Sequence, residues 1–241
     1  MEDVNEVFFG KKKNCKRLAL KKEVRGPYWC KHPLPKQDGA DDTLCLARYL
    51  YNIEVCKSLY SSLNIFEVTF RNAIDRVLCS VAGSDNWYDI LNLDSTSIKN
   101  INDAKHKIQK KGKTVTHDRI VSELTFGFWT SLLTPRYSQA AFQSKIIKTC
   151  FKGVAPAQRN IKYLQIRFDK IRILRNRVSH HERIIHWKNL GDQHDELLES
   201  IKWLNNASYE LACSCDRFSK VYKRELKFYK KLVKRHWNKY K

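Results

Sequence analysis

The sequence predicts an all-α protein, and three observations predict it. The 241 residues hold only 8 glycines and 5 prolines, so sites for the turns that strands require are few. The long segments between these breakers space their apolar residues by three and four, the period of a helix buried on one face. The breakers fall where those apolar stripes stop. Hydrophobic residues make up 42% of the chain, enough for a core, and the length suits one large domain or two small ones.

Taken in order, residues 1–40 are basic and carry Gly10, Gly26, Pro27, Pro33, Pro35 and Gly39, an irregular N-terminal arm. Asp41, Asp42 and Thr43 read as a helix start, where acids suit the positive end of the helix dipole. Thr43–Ala82 contains no Gly or Pro and steps through Leu59, Leu63, Phe66, Phe70, Ile74, Val77 and Val81, which predicts an amphipathic helix closed by Gly83, with continuation upstream through Leu50 and Leu46 left open. Residues 84–96, with Trp87 and Tyr88, read as a connection. A polar helix over Ser97–Lys111 stops at Gly112. The next is expected to be capped by Thr116 and to carry Val121, Leu124, Phe128 and Leu132 on one face before Pro135. Gly127 within it is expected to allow a close helix approach. A helix over Ser138–Cys150 precedes Gly153 and Pro156, and one over 157–179 aligns Ile161, Leu164, Phe168, Ile171, Arg175 and Val178. After Gly191 and Asp192 no Gly or Pro remains, so residues 193–241 are expected to form a long basic C-terminal helix, single or divided once.

The charge narrows the function. There are 46 Lys and Arg against 25 Asp and Glu, a net of +21. Residues 10–36 carry ten basic residues against the single acid Glu23, and residues 217–241 carry eleven against Glu225, so the middle is close to neutral. Two basic ends on a neutral body point to a polyanion, with nucleic acid ahead of a membrane surface or an acidic protein. The start MEDVNEVFFGKKK has no signal-peptide core, and no run approaches the ~18 apolar residues of a membrane span. The 8 cysteines show no paired spacing, which suits a reducing cytoplasm; the Cys30–His32 and Cys213–Cys215 groupings lack the second pair of a zinc site.

Chemistry concentrates in Leu174-Arg175-Asn176-Arg177-Val178-Ser179-His180-His181-Glu182-Arg183-Ile184. Arg175 lies on an apolar stripe, so its permanent charge needs an anionic partner or a cleft. His180 and His181 follow, with Arg167, Lys170, Arg172, Arg177 and Arg183 in the same stretch. A cationic field disfavours the imidazolium and keeps a histidine ready to accept a proton. Arginine can hold a phosphate and offset charge developing on it, and the 2′-hydroxyl of RNA is an internal nucleophile. The other reading of the same spacing is a structural ion pair at Arg175 and capping or surface histidines. Arg175 and His180 also lie roughly 140° apart on an ideal helix. They share a site only if the helix ends near Val178, or if two chains each supply half of it across a two-fold axis.

Arg175-Asn176-x-x-x-His180 resembles the R-N-x-x-x-H motif of HEPN ribonucleases, and its surroundings resemble the Abi-like (AbiD/AbiF type) abortive-infection family. Tyr49-Leu50-Tyr51-Asn52-Ile53-Glu54, leading to Phe66-Glu67-Val68-Thr69-Phe70-Arg71-Asn72-Ala73-Ile74, is similar to that family's long helix, and Leu124-Thr125-Phe126-Gly127-Phe128-Trp129 to its central aromatic segment. These blocks span residues 49–184 in the family's order.

The resemblance implies a HEPN-like helical bundle over residues 41–241 and metal-independent RNA cleavage in antiviral growth arrest. It also implies a homodimer, and a small non-coding RNA as an added partner. Carried over, His180 is general base or acid, Arg175 the phosphate and transition-state ligand, and Asn176 orients one of them. His181 stacks on or positions RNA. Glu67 and Arg71, a turn apart, either pair as scaffold or support Arg175. Arg172, Arg177, Arg183, Lys223, Lys227, Lys230, Lys234 and Arg235 are the expected RNA contacts, with Tyr229, Trp237 and Tyr240 able to stack on bases and Phe126, Phe128 and Trp129 in the core. No metal, cofactor or membrane is expected. The alternatives are a non-catalytic protein that holds a small structured RNA, and a basic protein bound to a membrane or an acidic partner through residues 217–241.

Overall fold

The computed structural model describes residues 42–237, and every described element is helical. The expectations for the arm 1–40, the Cys30–His32 pair and Tyr240 lie outside the described residues. The 41-residue helix α1 (Asp42–Ala82) is the spine, about 60 Å long at the usual rise per residue. Its stripe is buried from Leu46 to Leu78, while Val81, at the end, is exposed. Gly83 follows in the left-handed conformation (φ 66°) that closes a helix, and Gly112 does the same for the polar helix α3 (Ser95–Lys110).

Between them the expected connection contains a short helix, α2 (Trp87–Ile90), that buries Trp87 and Tyr88. The single helix expected after Thr116 is instead α4 (His117–Glu123) and α5 (Phe126–Ser131). Leu124 and Thr125 are extended, and the Thr125 hydroxyl accepts from the Phe128 N–H, so a cap starts a second helix where the apolar pattern ran on. Thr116 occupies the cap position of α4 without a side-chain bond. Gly127 is exposed, with no approaching helix near its Cα. Helix α6 (Ala141–Cys150) follows as expected.

Helix α7 (Ile161–Ser179) returns antiparallel to α1. Phe66 and Phe70 of α1 meet Phe168 of α7 at ring distances of 5.9 and 4.9 Å, Phe126 of α5 lies edge-on to both, and Phe151 closes the cluster at 5.2 Å from Phe168. Edge-to-face and tilted pairs of this kind add about 0.5–1.5 kcal/mol each to the burial of the rings. Helix α8 (Leu190–Leu204) forms an antiparallel hairpin with α7: Arg167 pairs with Glu196, Glu199 and the Ser200 hydroxyl, and Tyr163 lies against Trp203.

The long C-terminal helix is corrected. Residues 190–237 form α8, α9 (Asn206–Cys215), α10 (Phe218–Tyr222) and α11 (Glu225–Trp237). The breaks fall without Gly or Pro, two of them at residues whose side chains are hydrogen-bonded. Asn205 is extended and its amide oxygen caps the Ser208 N–H; Asp216 is drawn to His194 at 2.8 Å; Glu225 takes a left-handed φ of 52°. Gly191 lies inside the first turn of α8 rather than before it. Tyr229 of α11, 2% exposed, stacks on Tyr51 at 5.1 Å, and the Tyr51 hydroxyl donates to the Tyr222 carbonyl, so the chain end closes over the first half of α1.

Asn52 ties α1 to the segment after α7. Its amide oxygen accepts from the N–H of Ile184 (2.8 Å) and Ile185 (3.4 Å), and its amide nitrogen donates to the Glu182 carbonyl (3.1 Å). Asn52→Ala strands these buried backbone groups and is expected to cost about 1–3 kcal/mol. Urea denaturation checks this; an unchanged midpoint contradicts it.

Candidate active site

Arg175 is held across the α1–α7 contact. Its Nε donates to Glu67 Oε2 (2.8 Å) and its Nη2 to Glu67 Oε1 (3.1 Å), a two-bond fork that fixes the guanidinium plane. Nη1 stays outside the fork, 3.4 Å from Asn176 Oδ1. The Arg175 side chain is 33% exposed, so the pair sits at the surface of the core rather than within it. Register explains the pairing. The Phe66–Phe168 and Phe70–Phe168 contacts set how the antiparallel helices slide, and Glu67 then comes opposite Arg175. Arg71 does not pair with Glu67; its Nε donates to its neighbour Asn72.

The α7 helix ends one residue beyond Val178, in a turn built from backbone. His180 is the cap (φ −94°, ψ 12°), and its N–H reaches the Asn176 carbonyl. His181 N–H bonds the Val178 carbonyl and Glu182 N–H the Arg177 carbonyl. This pair of bonds is the Schellman closure, whose left-handed position normally holds glycine. Here His181 holds it, at φ 57°. Both rings are exposed, and neither makes a hydrogen bond or ion pair among the described residues, with Arg175 or otherwise.

The expected cationic field around the histidines is corrected. Arg177 pairs with Glu182, Arg172 with Asp169 and Lys170 with Glu196, while Arg167 is buried along α7 in its own ion pairs. Carboxylates offset these charges. Arg183 differs: its buried Nε has no hydrogen-bond partner among the described residues, and burial and the nearby Arg48 guanidinium lower its pKa from the ordinary arginine value. On α11 and just before it, Lys223, Lys227, Lys234 and Arg235 are exposed and Lys230 half-buried, none in an ion pair among the described residues. Tyr229 is buried against Tyr51 and so has no exposed face for stacking, while Phe126, Phe128 and Trp129 are core, as expected.

Two groups escaped the sequence reading. Asn52 lies inside the Tyr49–Glu54 segment, where no role was expected of it. Asp75 and Cys79, four apart on α1, meet His117 at the start of α4, so that the three donor atoms lie within 4.8 Å of one another. The D-x-x-x-C spacing was the available signal. Burial and the Asp75 and Asp85 carboxylates push the Cys79 thiol up to about 11. The six described cysteines are unbridged.

No helix among the described residues is long and apolar enough to cross a membrane. Comparison with protein-family models, with curated proteins and with solved structures returns no match.

His181→Gly removes the penalty of a left-handed side-chain-bearing residue and is expected to stabilise the fold by about 1 kcal/mol. A lower thermal midpoint in that variant overturns the assignment of the turn.

Proposed function

We propose that this chain is a metal-independent endoribonuclease of the HEPN type acting in antiviral growth arrest, with Arg175 and His180 as its catalytic pair. One observation carries the reading: the same end of α7 bears an arginine fixed in a fork with one nitrogen to spare and two solvent-facing histidines in a tight turn. The resemblance of three ordered segments supplies the reaction class.

Arg175 donates from Nη1 to a non-bridging phosphate oxygen and offsets the charge that grows there. His180 takes the proton of the ribose 2′-hydroxyl as that oxygen attacks the adjacent phosphorus. The 5′-oxygen leaves and takes a proton from water, and His180 returns its proton to solvent. The products are a 2′,3′-cyclic phosphate and a 5′-hydroxyl. The nucleophile is internal, so the step calls for no metal-activated water. The site is built either from one α7 end or, in the homodimer that the resemblance implies, from the arginine of one protomer and the histidine of its partner across a two-fold axis.

His180→Ala is expected to slow cleavage of RNA by about 10²–10⁴-fold with binding retained. Mixing Arg175→Ala with His180→Ala protein restores cleavage if the site is shared, because one of the two sites in the mixed dimer is then intact. No recovery on mixing argues for a site within one chain, and unchanged cleavage by His180→Ala removes the enzyme.

One observation favours the second reading, a protein that holds RNA without cutting it: most arginines of the candidate site are matched by carboxylates, while the lysines of α11 are not. Under either reading α11 is an RNA contact. Replacing Lys223, Lys227, Lys234 and Arg235 by alanine is expected to flatten the dependence of log affinity on log salt by about 0.7 per lost single-strand phosphate contact. An unaltered slope takes α11 out of the interface.

A further inference from the structure

Away from Arg175, about 12 Å along α1 at the usual helical rise, Asp75, Cys79 and His117 gather a carboxylate, a thiol and an imidazole. Asp75 Oδ2 lies 3.2 Å from His117 Nε2, and Cys79 Sγ lies 4.0 Å from the same nitrogen. Ordinary zinc bond lengths at tetrahedral angles put nitrogen and oxygen ligands about 3.3 Å apart, and nitrogen and sulfur about 3.6 Å. The Asp75–His117 edge already has this length, the His117–Cys79 edge is a few tenths of an ångström wide, and all three donors lie within 4.8 Å, so closing the Asp75–Cys79 edge around an ion takes a side-chain movement of about 1 Å. We propose that Asp75, Cys79 and His117 bind a divalent transition metal, zinc by donor preference, which staples the first turn of α4 to the end of α1.

Two neighbours orient the donors, while His117 Nδ1 is buried without a hydrogen-bond partner among the described residues. Trp87 Nε1 donates to Asp75 Oδ1 at 2.8 Å, which turns the other carboxylate oxygen toward His117. Outer partners of this kind orient the ligands of metal sites. The Tyr88 ring lies nearly parallel to His117, at 6.2 Å and 15°, and holds the imidazole plane. Asp75 and Cys79 share a face of one rigid helix, so two donors stand ready without a loop having to fold around the ion. One hydrogen on Nε2 serves Asp75 or Cys79, not both, whereas an ion engages all three at once. A mixed set of one sulfur, one nitrogen and one oxygen matches zinc or cobalt and disfavours magnesium and calcium, which take oxygen. With three protein donors, a water completes a tetrahedral set. This site is independent of the reading of Arg175 and His180.

Cobalt(II) titrated into chelator-treated full-length protein tests the proposal. One equivalent is expected to produce a thiolate-to-cobalt charge-transfer band and the visible absorption of a tetrahedral ion, both displaced by zinc. Cys79→Ser loses the charge-transfer band, and the double variant Cys213→Ser, Cys215→Ser keeps it. Trp87→Phe weakens binding about 10-fold. Absence of the band in wild-type protein, its survival in Cys79→Ser, or its loss in the double variant overturns the site. Should Cys79→Ser fail to fold, alkylation mapping of wild-type protein decides: zinc slows modification of Cys79 and spares the rates at Cys213 and Cys215, and the converse pattern overturns the site.

Discussion

Helix α7 lies antiparallel on α1, and the Phe66–Phe70–Phe168 contact is what holds it there. Phe168 is buried against both rings of α1, with Phe126 and Phe151 closing the cluster from other elements. Rings of this size do not slide without opening a cavity, so the packing fixes the axial register of the two helices. Register in turn sets Glu67 opposite Arg175 and Asn52 opposite the chain after the α7 cap. A one-residue slip would rotate both away.

That constraint explains how a chain of net charge +21 keeps a quiet interior. Acids meet several of the basic residues that enter the packed region, Arg167 with Glu196 and Glu199, Arg175 with Glu67 and Arg177 with Glu182, with Arg183 the exception. Such pairs offset a desolvation cost more than they add stability. Helix α11 carries a run of basic residues outside ion pairs and docks through Tyr229 onto Tyr51. Asn52, the next residue of α1, holds the segment that follows His181. One turn of α1 therefore joins the basic helix to the candidate site.

His181 carries a cost with no packing gain to explain it. A glycine would make the same two backbone bonds without strain. Strain of this type gathers where a side chain is wanted in a particular place, which fits a ring turned to solvent beside the candidate catalytic pair. The sequence marked His180, His181 and Arg175 as a group, and the structure brings them to one helix end. It did not mark the turn type, because nothing in the pattern of residues 174–184 separates a Schellman closure from a simple loop when the glycine is absent.

Much of the helical content was decided within single turns of chain, and so the sequence alone determined it. Period, capping and breakers located α1, α3, α6 and α7, with Gly83 and Gly112 in the left-handed conformation that their positions implied. Where boundaries rest on a side chain that bonds its own backbone, as at Thr125 and Asn205, the apolar period concealed them. Tertiary structure decided the partners. Glu67 and Arg175 are 108 residues apart, and Asp75 and His117 are 42. Nothing local encodes which acid meets which base, since that depends on how far one helix slides along another, and side-chain packing over the whole core sets that distance.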